Sequence, residues 1–320
     1  MAALALGIIG FGIMGERLLT QALPHPDFRL SGIWDPSPAA AARLAAVDPA
    51  LRVAADAAEV IAGCDTLYIA APPAAHVPLA RAALAAGKAV FLEKPLATDL
   101  DEARRFVAEA EAMGARAAVN FPMASSPAVA QLSEWRAEAG TPRSLRIDTQ
   151  FGRWPRGWQH DAAAWLARRA EGGFTREVVS HFLFLTRRQL GPLELLSAQT
   201  TYPGGDMAET RIEARLTAGG VPVELTGAVG AIAADEENAW VLQGADGAIR
   251  LRNWSLAERQ GAGGDWAQAP DALPNEKMRP ITLRRQMDKL AALTRGEAQD
   301  LATLREALEV QQVAEAILVA

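Results

Sequence analysis

Up to about residue 120 the chain alternates short apolar runs with alanine-rich stretches of helical spacing. The runs cover 3–9, 28–34, 66–71, 89–92 and 115–119, with a weaker one at 51–54. Between them lie helical candidates at 15–23, 38–46, 57–62, 75–86 and 100–113. Continuous apolar runs separated by helices predict parallel βαβ units, with helices on both faces of one sheet. Asp99 before Leu100, with Glu102 three residues on, resembles a capping box, and Gly114 closes the same helix.

After residue 140 the rhythm changes. Segments 144–151, 195–202, 210–218, 221–229, 239–244 and 248–254 read as strands joined by short turns, and Asp246-Gly247 is a hairpin signal. In one of them Ile212, Ala214 and Leu216 alternate with Arg211, Glu213 and Arg215. That predicts an antiparallel sheet with one buried and one polar face. Helices at 175–190, 282–294 and 301–320 are expected to cover the buried face, and 261–274 reads as a Gly/Pro/Ala loop. The expected division is therefore 1–120, a doubly wound α/β nucleotide-binding domain, and 121–320, an α+β substrate and oligomerisation domain. The final helix is a candidate to pack back on the first.

Composition narrows the function. With 320 residues the chain is long enough for about two domains. Half of it is hydrophobic and 22% charged, an ordinary globular balance. A net charge of −6 argues against a nucleic-acid binder. One cysteine, Cys64, excludes an intrachain disulfide and any multi-cysteine metal site, and it fits a reducing compartment. The uncharged start, 1–15, lacks a basic region and is too short to span a bilayer, so a soluble cytoplasmic protein is expected.

Gly10-Phe11-Gly12-Ile13-Met14-Gly15 is G-x-G-x-x-G directly after an apolar run and opening a helix. Gly10 permits the tight turn, Gly12 lets backbone approach a pyrophosphate, and Gly15 lets helix and strand pack closely. The helix N-terminus offers unpaired N–H groups to the phosphates. Asp35 ends the next run, twenty residues past Gly15, where a ribose-binding carboxylate is expected. A carboxylate there repels a 2′-phosphate, and no Arg or Lys follows before Arg43, so NAD is expected over NADP.

Glu93-Lys94-Pro95 leaves a strand at the end where open α/β sheets bind ligands. Pro72-Pro73 and His76 follow another strand in the same way; a charge pair and a helix-start histidine are the bland alternatives. These motifs, in this order, resemble the Gfo/Idh/MocA oxidoreductases, the glucose–fructose oxidoreductase and inositol dehydrogenase superfamily. A later stretch, Glu171-Gly172-Gly173-Phe174-Thr175-Arg176-Glu177-Val178-Val179-Ser180-His181, resembles that family's glycine-rich motif. Here two of three glycines remain and Glu177 stands where the family has aspartate. Ser125-Ser126-Pro127 also departs, lacking the arginine many relatives carry before the proline, and Arg176 replaces an apolar residue.

The resemblance implies a nicotinamide enzyme whose lysine and histidine meet the substrate, and a cis Lys94–Pro95 bond. Carried onto this chain, it makes Gly10, Phe11, Gly12, Ile13, Met14, Gly15, Asp35, Ala71, Pro72, His76, Glu93 and Lys94 the cofactor-binding candidates. Lys94, His181 and Glu177 are the catalytic candidates. Asn120, Trp158 and Arg176 join those three as substrate contacts.

On a helix Glu177 and His181, four apart, share one face. Two ligands at that spacing do not make a metal site, and none is expected. Segment 143–188 holds nine arginines and only four acids, with Trp154, Trp158 and Trp165 among them. A solvated face is one reading; a pocket for an anionic substrate group is the sharper one. The expected protein is an NAD(P)-dependent oxidoreductase acting on a small sugar, polyol or related hydroxy or oxo compound, and a homo-oligomer. It is expected to bind neither nucleic acid nor membrane. A non-catalytic NAD sensor, and an NAD-dependent hydrolase or lyase working by transient oxidation, are the rival readings on the same scaffold.

Overall fold

The computed structural model describes residues 2–261 and 264–320. They form two compact units: the chain up to Ala124 with Thr282–Leu308, and Ser125–Ile281 with Glu309–Ala320. Residues 282–308, expected in the second part, thus belong to the first.

The first unit runs β1 (Leu4–Ile9), α1 (Ile13–Ala22), β2 (Phe28–Trp34), α2 (Ala39–Val47), α3 (Ala57–Gly63), β3 (Thr66–Ile69), α4 (His76–Ala85), β4 (Ala89–Leu92), α5 (Leu100–Ala112) and β5 (Ala117–Val119). The five strands are parallel in the order β2-β1-β3-β4-β5. Every residue of β3 and β4 is buried, as strands covered on both faces must be. Asp99 caps α5 by accepting from the Glu102 amide at 2.7 Å. The weak run at 51–54 forms no strand; a single bond, Ala54 N to Ile33 O at 2.7 Å, holds it beside β2.

The second unit opens with a helix that was not predicted, α6 (Pro127–Glu138), although Ser126 followed by a proline at the first turn is an ordinary start signal. It continues through β6 (Pro142–Phe151), α7 (Ala163–Leu166), α8 (Ser180–Leu190), β7 (Leu193–Thr201), β8 (Arg211–Ala218), β9 (Val221–Val229), β10 (Glu236–Gly244), β11 (Ala248–Arg252), β12 (Leu256–Gln260) and β13 (Trp266–Gln268). The sheet order is β13-β12-β11-β10-β6-β9-β8-β7, antiparallel throughout except between β6 and β9. In β8, Ile212, Ala214 and Leu216 are buried while Arg211, Glu213 and Arg215 are exposed, matching the alternation in the sequence. Helix α8 lies on the buried face, where Trp240 of β10 donates its indole N–H to Thr186 at 2.9 Å. Strands β12 and β13 were not predicted; β13 falls in the supposed loop at 261–274, of which 262 and 263 lie outside the described residues.

Two long helices close the chain: α9 (Asn275–Arg295) and α10 (Leu304–Leu318). Met287, Leu290, Ala291 and Leu293 of α9 share an apolar cluster with Leu6, Ile8, Leu19 and Ile33. The helix predicted at 282–294 therefore covers the parallel sheet rather than the antiparallel one. Its apolar stripe reads the same from sequence whichever sheet it meets. The end of α10 belongs with the second unit: Thr200 and Tyr202 donate to its Ile317 and Leu318 carbonyls, each at 2.6 Å. Among the described residues no helix is long and apolar enough to cross a membrane.

Candidate functional site

In the first unit β1 has β2 on one side and β3 on the other, so the strand order reverses there, and ligands in such sheets sit at the carboxyl ends beside that point. The glycine loop occupies it. Gly10 turns the chain at φ +92°, and a Cβ on it would stand 2.4 Å from the Ala70 and Ala71 backbone at the end of β3. A Cβ on Gly15 would stand 2.3 Å from the Gly10 carbonyl oxygen. Gly12 differs: it is exposed, it begins α1 without a side-chain cap, and no heavy atom lies within 4 Å of where its Cβ would be. Open space over uncapped helix N–H groups is what a pyrophosphate requires. The residues fit a dinucleotide.

Asp35, half-buried at the end of β2, accepts from the Phe11 amide at 2.6 Å with one oxygen and from the Ser37 amide at 2.7 Å with the other. It therefore holds the loop in shape, and each oxygen keeps a further lone pair for a hydroxyl. Arg43, the first basic residue after it, pairs with Glu16 at 3.2 Å.

Lys94 is half-buried just past β4, and its bond to Pro95 is cis, as the resemblance implies. Two of the predicted ligand contacts beside it turn inward. Glu93 accepts from Tyr68 Oη and, at 2.6 Å, from Asn120 Nδ2. Asn120 is 1% exposed, and its carbonyl oxygen accepts from Gln286 at 2.6 Å. Burial and then the Glu93 carboxylate push the Tyr68 hydroxyl well above its usual range. Asn120 thus anchors Glu93, the neighbour of Lys94, and its amide is turned to protein partners instead of outward to a substrate.

His76 is also turned to protein. It is buried, with Nδ1 at 2.7 Å from the Pro95 carbonyl and Nε2 at 2.8 Å from the Ala71 carbonyl. It braces the loops after β3 and β4 through their backbone. Burial lowers its pKa, opposed by those two carbonyls.

In the second unit Gly173, at φ +97°, leads into a π-helical turn, Thr175–Val179, that passes directly into α8. The predicted single α-helix at 175–190 is therefore two segments, and such wide turns recur at functional sites. Buried Glu209 accepts from the Thr175 amide at 2.7 Å and tethers the turn's start. Burial raises the pKa of its carboxyl. Arg176 gives four of its five N–H groups to protein: two to Glu315 at 2.6 and 2.7 Å, and one each to the Arg169 and Gly172 carbonyls at 2.8 Å. That geometry makes it a clamp on the turn at Gly172–Gly173, and a direct substrate contact is not what its guanidinium is placed for.

Glu177 accepts from Gln159 at 3.1 Å and lies 3.5 Å from Arg156 Nη2. Arg156, 6% exposed, also donates to Gln159 at 3.0 Å and to Glu236 at 2.5 Å. Its guanidinium stacks 4.8 Å from the ring of exposed Trp158. Glu236 further accepts the Trp254 indole N–H, and the Trp254 ring meets the buried His181 ring edge-on at 5.4 Å. Glu177, Trp158 and His181 are thus joined by Arg156, Gln159, Glu236 and Trp254, none of which the sequence singled out. Only Arg156 had a signal, as one of many arginines. Trp254 was taken as the end of a strand; instead the strand stops at Arg252, and Asn253 and Trp254 adopt φ +45° and +73°. A tryptophan held there costs on the order of 1 kcal/mol or more, offset in part by Asn238, which accepts from its amide at 3.1 Å. Among the described residues no group of three His, Cys, Asp or Glu is placed to hold a metal.

Residues 4–121 match the family model GFO_IDH_MocA, described as an oxidoreductase family with an NAD-binding Rossmann fold. Inositol 2-dehydrogenase of Cereibacter sphaeroides is 38% identical over 117 residues, 35% of this chain and 34% of that one. A scyllo-inositol 2-dehydrogenase (NADP(+)) of Bacillus subtilis is 34% identical over 109 residues, 33% of each. The matched stretch is about a third of the length of these curated relatives. A myo-inositol dehydrogenase from Corynebacterium glutamicum shares the fold throughout, with a TM-score of 0.79 and 18% identity over 99% of this chain and 96% of that one. Residues 4–121 are thus similar to the NAD-binding Rossmann unit of the Gfo/Idh/MocA oxidoreductases.

Proposed function

We propose that the protein is an NAD(P)-dependent dehydrogenase or reductase of a small sugar, polyol or related hydroxy or oxo compound, using NAD in preference. One observation carries the reading: the uncapped, open glycine loop at the strand-order reversal, with Lys94 leaving the same sheet edge two strands away. The Gly10–Gly15 loop would hold the pyrophosphate and Asp35 a ribose hydroxyl. Bound there, a nicotinamide supplies a hydride acceptor or donor. For an alcohol to lose hydride from carbon, its hydroxyl proton must also leave, and Lys94 Nζ or a His181 ring nitrogen takes it. Glu177, steadied by Gln159 and Arg156, orients a substrate hydroxyl or the histidine. Glu93, fixed by Tyr68 and Asn120, sets the chain direction into Lys94.

Titration with NAD and NADP, then an NADH-absorbance screen across sugars, polyols, hydroxy acids and imines, tests this. NAD is expected to bind more tightly; a lower dissociation constant for NADP overturns the preference. Steady NADH release separates a dehydrogenase from a hydrolase or lyase that regenerates its cofactor, and from a sensor that turns nothing over. The reading includes a cytoplasmic location, which the single buried thiol suits, and assembly into a homo-oligomer.

A further inference from the structure

The hairpin between β11 and β12 turns on Asn253 and Trp254, with the Ser255 amide donating to the Arg252 carbonyl at 3.2 Å. Both central residues have positive φ, +45° and +73°. Turns of that kind ordinarily carry Asn-Gly, because a side chain at the second position is strained there. Here a tryptophan stands in the place of the glycine. Glycine would make the same turn without strain, so the path of the backbone gives no reason for tryptophan, and its ring must supply one.

That ring is held from several sides. Its N–H is donated to Glu236, which itself accepts from Arg156 at 2.5 Å. The Trp254 amide donates to the Asn238 side chain at 3.1 Å, and the Asn238 amide to the Asn253 side chain at 3.1 Å. The ring lies against two consecutive residues at the start of α8: His181, edge-on at 5.4 Å and 77°, and Phe182, tilted at 5.3 Å. Consecutive residues on a helix point about 100° apart, so one ring touching both sits in the notch between them. It cannot slide off His181 without also leaving Phe182, which is fully buried.

An imidazole that handles a proton needs such a wall. The χ2 angle of histidine is broad and nearly two-fold, and a half-turn about it exchanges a nitrogen for a carbon on each edge of the ring. Proton exchange requires one nitrogen about 2.6–3.2 Å from the reacting hydroxyl, in one direction.

We propose that Trp254 is a positioning residue for His181: the strained turn holds the indole where it fixes the plane of the imidazole, so that the working nitrogen keeps a single direction. This rests on the dehydrogenase reading, in which a His181 ring nitrogen meets the substrate hydroxyl. Through Glu236 and Arg156 the same indole is tied to the group that steadies Glu177, so the two side chains are held in register.

The test combines histidine ring NMR with steady-state kinetics on wild type, Trp254→Ala, Trp254→Gly and Trp254→Phe, with thermal melts to report folding. The chain has four histidines, and the His181 signals are assigned from His181→Gln. In Trp254→Ala they should shift and broaden, while those of His25 and His76, in the other unit, stay in place. On a substrate found in the absorbance screen, kcat should fall by about tenfold or more, with KM changed only a few-fold. Trp254→Gly suits the turn and lacks the ring, so it should lose turnover as Trp254→Ala does. Trp254→Phe keeps a ring against His181 and loses the bond to Glu236, and should fall between; it keeps the test open if the smaller side chains do not fold. A folded Trp254→Gly with wild-type kcat, or His181 signals unmoved in every folded variant, overturns the proposal. Displaced signals with unchanged kcat overturn it too. If NAD binds and nothing turns over, the dehydrogenase reading fails by itself. The ring signals then decide alone: a His181 that loses its fixed orientation without the indole upholds the positioning, and one that keeps it removes the role.

Discussion

At the scale of single residues, the glycine loop separates two roles that one motif conceals. Gly15 is close-packed and Gly12 is open, since a Cβ would meet the Gly10 oxygen at 2.3 Å in the first case and nothing in the second. Gly15→Ala should therefore destabilise the fold by about 1–3 kcal/mol, the usual range for overpacking. Gly12→Ala should leave the melting temperature alone and weaken NAD binding by about tenfold or more, roughly 1.4 kcal/mol. Thermal melts with an NAD titration check both, and a Gly12→Ala protein that binds NAD normally would show that the pyrophosphate lies elsewhere. Lys94 allows a sharper prediction. If it moves the proton, Lys94→Met should lower kcat by roughly 10²–10⁴-fold and leave the NAD dissociation constant nearly unchanged. Turnover within a few-fold of wild type would pass the role to His181.

At the scale of elements, the junction between Gly172-Gly173 and α8 decides where Glu177 and His181 stand. Gly173 sits at φ +97°, and a Cβ there would lie 2.2 Å from the Glu209 carboxylate, the group that tethers the Thr175 amide. Gly173→Ala meets both a backbone penalty and a collision with that tether, so a loss of about 2 kcal/mol or more is expected. Urea unfolding measures it, and a change under about 0.5 kcal/mol would mean that the junction relaxes freely. This junction was half-legible. Two glycines before a Glu–His pair marked a special helix entry, but the wide turn at Thr175–Val179 and the buried tether from Glu209 did not show. Glu209 is 34 positions from Thr175 along the chain, and no local pattern connects them.

At the scale of the whole molecule, acid should act first through buried carboxylates whose partners are arginines. Glu258 lies on β12 with Arg252 at 2.7 Å and Arg250 closer still, and these hold its pKa down to about 2. A carboxyl depressed on folding stabilises the protein above its unfolded value, near 4.5, and that contribution is lost as pH falls towards 2. After allowing for screening, the loss is on the order of 1–2 kcal/mol. Glu258→Gln should be less stable than wild type at pH 7, and its stability should fall less steeply below about pH 4.5. Parallel curves for the two proteins in a pH series of urea melts would contradict this. Assembly belongs to the same scale. The exposed side of the sheet carries Arg211, Glu213, Arg215 and Glu224, so an interface formed there would be polar and partly wet. A homo-oligomer is expected, and light scattering that shows a monomer at micromolar concentration would remove it.

The amino-acid sequence by itself determined the parallel sheet of the first unit, the loop from Gly10 to Gly15, the carboxylate at Asp35 and the exit of Lys94 from a strand end. It also determined the alternation that gives β8 two faces. Each of these is written in residues that are near neighbours along the chain: a glycine pattern, a period of two, a proline after a lysine. Contacts between distant residues were decided only by the tertiary structure. An apolar stripe specifies that a helix must be covered and says nothing about by what, so the helix at 282–294 could be read onto the wrong sheet. Ionisable groups behave alike. In sequence Asn120, His76 and Arg176 are equally polar and equally available to a ligand. Folding then surrounds them with acceptors or donors from 4 to 166 positions away. Whether a polar side chain serves the fold or a ligand depends on which distant groups arrive beside it, and that is set by packing.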